Sequence, residues 1–129
     1  MDAKTTEGLE AAWRWGEWAL SKKNWTDAQT AFEQSAEQAA APESAEIRAR
    51  SYFGLGRVAE GQGNWADAAR QYLAVAILYD DPSLAPEALE AAARMFDKSG
   101  DAAAAAQARR ELNERYPAEA AAKSAEGAQ

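Results

Sequence analysis

The chain has 129 residues, of which 47% are hydrophobic, enough for one contiguous core and too few for two independent ones. Fourteen basic against 21 acidic side chains leave a formal charge of -7, which opposes a phosphate backbone or an anionic membrane surface and argues against nucleic acid as a partner. The sequence contains no cysteine and no histidine, so disulfides, thiolate metal sites and the commonest general base are all excluded.

About a quarter of the residues are Ala, the best helix former, and stretches rich in β-branched residues are few, which favours an all-α chain. Leu9, Ala12, Trp15, Gly16 and Ala19 recur at helical spacing and mark a first, leading helix. Asn24-Trp25-Thr26-Asp27-Ala28 then supplies a capping residue and an acid in the first turn of a second helix, which carries Ala28, Phe32, Ser35 and Ala36. Ala41-Pro42-Glu43-Ser44 breaks the pattern, since proline cannot continue the helix before it and suits the first turn of the next.

The same sentence is then written again. A leading helix with Tyr52, Leu55, Gly56 and Ala59 is followed by Asn64-Trp65-Ala66-Asp67-Ala68 and a trailing helix with Ala68, Tyr72, Val75 and Tyr79. Asp80-Asp81-Pro82-Ser83 ends this second hairpin. The third copy is degenerate: Leu89, Ala92, Ala93 and Phe96 lead, Gly100-Asp101-Ala102 turns, and Ala105, Ala108, Leu112 and Tyr116 trail, with Arg109 where Tyr72 would recur. After Tyr116-Pro117, residues 120–125 are expected to form a short capping helix, with 126–129 fraying. A unit repeated at this period cannot bury its own apolar face and must stack on its neighbours.

Tyr52-x2-Leu55-Gly56-x2-Ala59 followed by Ala68-x3-Tyr72 resembles the tetratricopeptide repeat. Small Gly56 and Ala68 let the two helices of a hairpin approach while Tyr52 and Tyr72 fill the flanks, and Gly16 and Ala28 repeat the device. The resemblance implies a right-handed α-solenoid: one domain over residues 1–129, with repeats near 6–40, 45–81 and 82–116 and a partial cap over 117–125. Trp25 to Trp65 is a step of 40 residues, Gly63 to Gly100 one of 37, against about 34 in the usual repeat. The surplus falls in the connections around Pro42 and Pro82, and with Tyr116-Pro117 it looks like the long-linker variety found in Tol-Pal-associated periplasmic proteins and BamD-type outer-membrane assembly lipoproteins. That likeness alone implies a periplasmic or envelope location, with the cytoplasm as the alternative. Met1-Asp2-Ala3-Lys4 carries no secretory pattern, and no run of 18 apolar residues would insert into a membrane.

In such a stack the leading helices line a concave groove, and the residues at groove positions are Glu10, Trp13, Glu17, Arg50, Phe53, Arg57, Glu60, Glu87, Glu90 and Arg94. Trp13 and Phe53 beside Arg50 and Arg57 form the pattern of an aromatic anchor with a guanidinium for a peptide carboxylate or carbonyl. The competing reading makes both aromatics core and the charges a solvated, internally paired face. Trp25 and Trp65 read as locks on the turn inside each hairpin. Trp13, Trp15 and Trp18 cannot all face one neighbour, so one points outward. Trp18 is that candidate, either for a homo-oligomer contact or for cover by residues 1–8.

Acid pairs such as Glu87 with Glu90 or Asp80 with Asp81 come without a phosphate loop or a nucleophile set, so catalysis is not expected, nor is a cofactor or metal. The expected role is a protein-protein interaction scaffold that takes an extended peptide or helix in its groove. The alternative is a self-assembly module that uses the Trp-rich N-terminal end or the thinly capped C-terminal one. A third is a segment whose groove serves its own flanking chain.

Overall fold

The computed structural model describes residues 6–127, and every regular element in that range is helical. The helices are α1 (Thr6–Ser21), α2 (Trp25–Gln38), α3 (Ala45–Gly61), α4 (Trp65–Leu78), α5 (Ala85–Ser99), α6 (Ala102–Arg115) and α7 (Pro117–Gly127), with a 3-10 turn over Pro42–Ser44. Each packs on the next, and α1 also lies against α3, so the chain is an α-solenoid of three hairpins closed by α7. The cap helix extends to Gly127 instead of fraying from residue 126.

Three turns of one design connect the helices within hairpins. Lys23, Gly63 and Gly100 occupy equivalent places, each in the left-handed region with φ of 57°, 77° and 86°. A polar residue follows each of them and starts the next helix. Asn24 accepts from the Asp27 amide at 3.4 Å and Asp101 from the Ala104 amide at 3.0 Å, whereas Asn64 makes no such side-chain bond. The longer connections between hairpins hold the 3-10 turn at Pro42 and a turn in which the Ser83 amide donates to Asp81 at 2.7 Å.

Aromatic rings laid on glycines fix the distances between helices. Phe32 of α2 is fully buried between α1 and α3, where a Cβ on Gly16 would fall 2.6 Å, and one on Gly54 2.5 Å, from its ring atoms. Tyr72 of α4 repeats this against Gly56, at 2.6 Å. No side chain fits in either place, so close approach of the helices is conditional on glycine. Around these rings the core continues with Leu55 and Val58 at the first seam and with Ala69, Ala92 and Met95 at the second. Buried polar groups are few and placed: the Ser51 hydroxyl lies 2.9 Å from Ser35 Oγ, and the Ser35 hydroxyl 3.3 Å from the Leu9 carbonyl, joining three helices.

The two turn tryptophans reach farther than the turn. Trp25, at the start of α2, lies where a Cβ on Gly61 at the end of α3 would come within 2.4 Å. Trp65, at the start of α4, carries the Lys98 ammonium of α5 at 4.5 Å from its ring centroid. Each therefore ties its hairpin to the following one. Trp15 also departs from the expectation of a core position: it is 51% exposed and stacks on equally exposed Trp18, with centroids 4.9 Å apart. Leu9, Gly16, Ala19 and Leu20 occupy the inner face of α1.

Candidate functional site

The leading helices α1 and α3 lie side by side, and two pairs of sequence-predicted residues meet across them. The Arg50 guanidinium sits 4.7 Å above the Trp13 ring, and Arg57 Nη1 donates to both carboxylate oxygens of Glu17 at 3.2 Å. The first contact is a cation–π pair and the second a half-exposed ion pair across helices. Trp13 Nε1 and Arg50 Nε are buried and have no hydrogen-bond acceptor among the described residues. Both lie closed off from the surface, and the nearest carboxylate to Arg50 Nε is that of Glu46, 4.0 Å away, so they belong to the packing of α1 on α3.

Phe53 and Glu60 turn inward from α3. Phe53 packs edge-on to Tyr72 with centroids 5.2 Å apart, and it touches the cores formed with both α4 and α5. Glu60 accepts the Tyr72 hydroxyl at 2.7 Å. Burial first, and then the Glu60 carboxylate, push the Tyr72 hydroxyl far above the ordinary phenol range. These two residues brace α3 against its partner helix.

On α5, Arg94 is exposed and makes no ion pair or hydrogen bond within the described residues. Glu90 is half-buried and lines a cleft of about 230 Å3 with Arg109, Leu112, Ala120 and Lys123, where α5, α6 and α7 meet. Arg109, standing in the place of Tyr72, pairs with Asp97 at 2.7 Å instead of covering a glycine. The groove face thus holds both charge signs, mostly paired: Glu10 with Arg14 at 3.6 Å, Glu46 with Arg50 at 4.0 Å, and Glu17 with Arg57. Trp18 belongs to another surface, with Trp15 on the outer side of α1.

Sequence reasoning missed a cluster at the far ends of α4 and α6. Arg115 contacts Asp80 at 3.1 Å, Glu111 at 2.9 Å and the Ala76 carbonyl at 3.3 Å, while the Tyr116 hydroxyl donates to Asp80. The Tyr116 bond and then Arg115 hold the Asp80 carboxyl below its usual range. Burial, followed by the Asp80 hydrogen bond, pushes Tyr116 up to about 12. No periodic signal announces such a cluster, because Asp80 lies in the break between hairpins and reads as turn chemistry.

Among the described residues no group of acids is arranged to hold a metal ion, and no helix is long and apolar enough to cross a membrane. The stack of hairpins offers an extended polar and aromatic face along its leading helices. The tetratricopeptide repeat profile matches residues 9–79, and the chain belongs to that family, whose fold generally mediates protein-protein interaction. The crystal structure of the TPR domain of Arabidopsis FLU is similar in fold, with a TM-score of 0.71 over 85% of this chain and 95% of that one at 21% identity. No curated protein sequence matches the chain.

Proposed function

We propose that the protein is a non-enzymatic scaffold that binds an extended segment of another protein along the face of α1, α3 and α5. The observation that carries this reading is the stack of hairpins itself, whose leading helices present Trp13 and the exposed guanidinium groups of Arg57 and Arg94 along one extended face. Farther along the face, Arg94 makes no ion pair within the described residues, and Glu90 lines a cleft together with Arg109 and Lys123. A matching ligand presents acidic or carbonyl oxygens toward Arg57 and Arg94, the exposed guanidinium groups of this face. Phe53 supports this surface from beneath and is not itself an anchor.

A random 12-residue peptide library displayed on phage and panned on the whole chain tests the proposal. Enriched peptides should bind at least about tenfold more weakly to Arg57→Ala/Arg94→Ala and unchanged to Trp15→Ser/Trp18→Ser. Selection of peptides indifferent to Arg57 and Arg94 would contradict it. A role in bacterial envelope assembly is the finer form of the proposal and is motivated only by the 40- and 37-residue steps between Trp25 and Trp65 and between Gly63 and Gly100. Fractionation of the native host tests it: recovery with cytoplasmic markers alone would remove it.

A further inference from the structure

The internal repeat shows what the outer side of α1 is built to do. Trp15 and Trp18 correspond to Leu55 and Val58 in the second hairpin, 40 residues on, and to Ala92 and Met95 in the third, a further 37 on. Leu55, Val58, Ala92 and Met95 are all buried at seams where a leading helix meets the hairpin before it. Ala11 likewise corresponds to buried Ser51 and Ala88. The N-terminal hairpin therefore displays a stacking face, and the two positions that elsewhere hold seam residues hold half-exposed tryptophans. Beside them runs an open cleft of about 430 Å3 floored by Gly8, Ala11, Ala12 and Ala31. Thr30 and Ala31 in that cleft correspond to Gln107 and Ala108 of α6, which line the cleft where α4 presents Leu73 and Ala76. The seat is thus shaped for an antiparallel helix, as at every inner seam.

We propose that the occupant is α1 of a second copy, in a closed homodimer whose two-fold axis passes near Trp15 and Trp18. Two observations select this occupant. Charge is uneven along the face: exposed Glu7 stands near the start of α1, next to the end of α2 with exposed Glu37, and exposed Lys22 and Lys23 follow the end of α1, where they outnumber the one acid of the cleft, Asp27. An antiparallel two-fold sets the acidic end of each copy against the basic end of the other, and a parallel arrangement would set like against like. The opposite end of the molecule offers no match. There α7 covers the third hairpin by burying Ala120 against Leu112 and Tyr116, and beyond Pro117 its sequence carries no apolar side chain larger than Ala. Head-to-tail stacking into a filament is therefore disfavoured, and the association closes at two.

The two half-exposed tryptophans supply on the order of 200 Å2 per copy, about a quarter of the ~800 Å2 per partner in a stable interface. The alanine floor beside them must close as well, and the dimer is expected in the micromolar range. Sedimentation equilibrium of the whole chain from about 5 µM to 1 mM should show the mass rising from 13.9 kDa toward twice that value. Trp15→Ser/Trp18→Ser, whose circular dichroism should match the parent, should stay monomeric. Lys22→Glu should raise the dissociation constant severalfold, and Glu7→Lys added to it should restore association. A mass of 13.9 kDa at every concentration, a dimer indifferent to the double Trp variant, no rescue by the charge swap, or species that keep growing beyond two copies would each overturn the proposal.

Discussion

Phe32 sits between two glycines that it does not allow to be anything else. In Gly54→Ala the added methyl gains about 1 kcal/mol of helix propensity. It would also overlap a fully buried ring already held from the other side by Gly16, and overpacking costs about 1–3 kcal/mol. The ring cannot retreat, so the overlap wins. Urea unfolding should show a net loss of up to about 2 kcal/mol, and a raised midpoint would mean that the seam is looser than described. Lys23 is the reverse case. It holds the left-handed conformation that its counterparts Gly63 and Gly100 adopt freely, so Lys23→Gly should stabilise by up to about 1 kcal/mol, read as a higher thermal midpoint. The sequence announced Gly16 and Gly56 through their places in the motif. It did not announce Gly54, whose need for smallness comes from an aromatic ring 22 positions away, Phe32, on another helix.

The Asp80–Arg115–Tyr116 cluster gives the molecule a pH signature at both extremes. Tyr116 keeps its proton in the fold up to about 12, whereas an unfolded chain releases it near pH 10. Its contribution is complete below about pH 10 and is lost as pH rises toward 12, because there the unfolded state binds fewer protons. Tyr72, raised in the same sense by burial and Glu60, adds to the loss. Asp80 is lowered, so its contribution is present above the ordinary carboxyl range and disappears as pH falls through its depressed value. Tyr116→Phe should flatten the alkaline slope of the denaturation midpoint and shrink the acid one. An alkaline slope identical to the parent's would show that Tyr116 is not shielded.

At the level of elements, the turn motif does more than its position in the sequence implies. Asn-Trp-x-Asp-Ala reads as a lock within a hairpin, and its Asn and Asp do act locally. The tryptophans, however, reach across to the ends of α3 and α5. A periodic pattern reports which residues recur on one helix, and it cannot report that a large ring spans to the next one. Trp65→Ala should cost about 2–4 kcal/mol and should raise amide exchange first at the end of α5, near Lys98. Exchange confined to the Asn64 turn would restore the local reading. The Glu17–Arg57 bridge is half-exposed on both sides and is worth at most about 1 kcal/mol, so a double-mutant cycle should find little stability in it.

Over the whole molecule, the helices and their breaks were legible because helix periodicity and proline positions are local signals. Orientation around each helix was less so. Trp15 falls one residue before Gly16 and fits the apolar repeat of α1, yet it lies on the outer side of the helix and is half exposed. The groove residues could be placed by register alone, but their division into supporting and available ones could not. Phe53 and Glu60 are committed to Tyr72 and Arg50 to Trp13, whereas Arg57 shares only a half-exposed bridge with Glu17 and Arg94 makes no ion pair or hydrogen bond within the described residues.

Recognition on the face of the leading helices can be read from an amide and indole chemical-shift map of the 15N-labelled chain titrated with a library-selected peptide. Shifts are expected at the Trp13 indole, Glu17, Arg57, Glu90 and Arg94, with α2 and α4 unmoved. Shifts concentrated on those trailing helices, with the Trp13 indole unchanged at saturation, would contradict it.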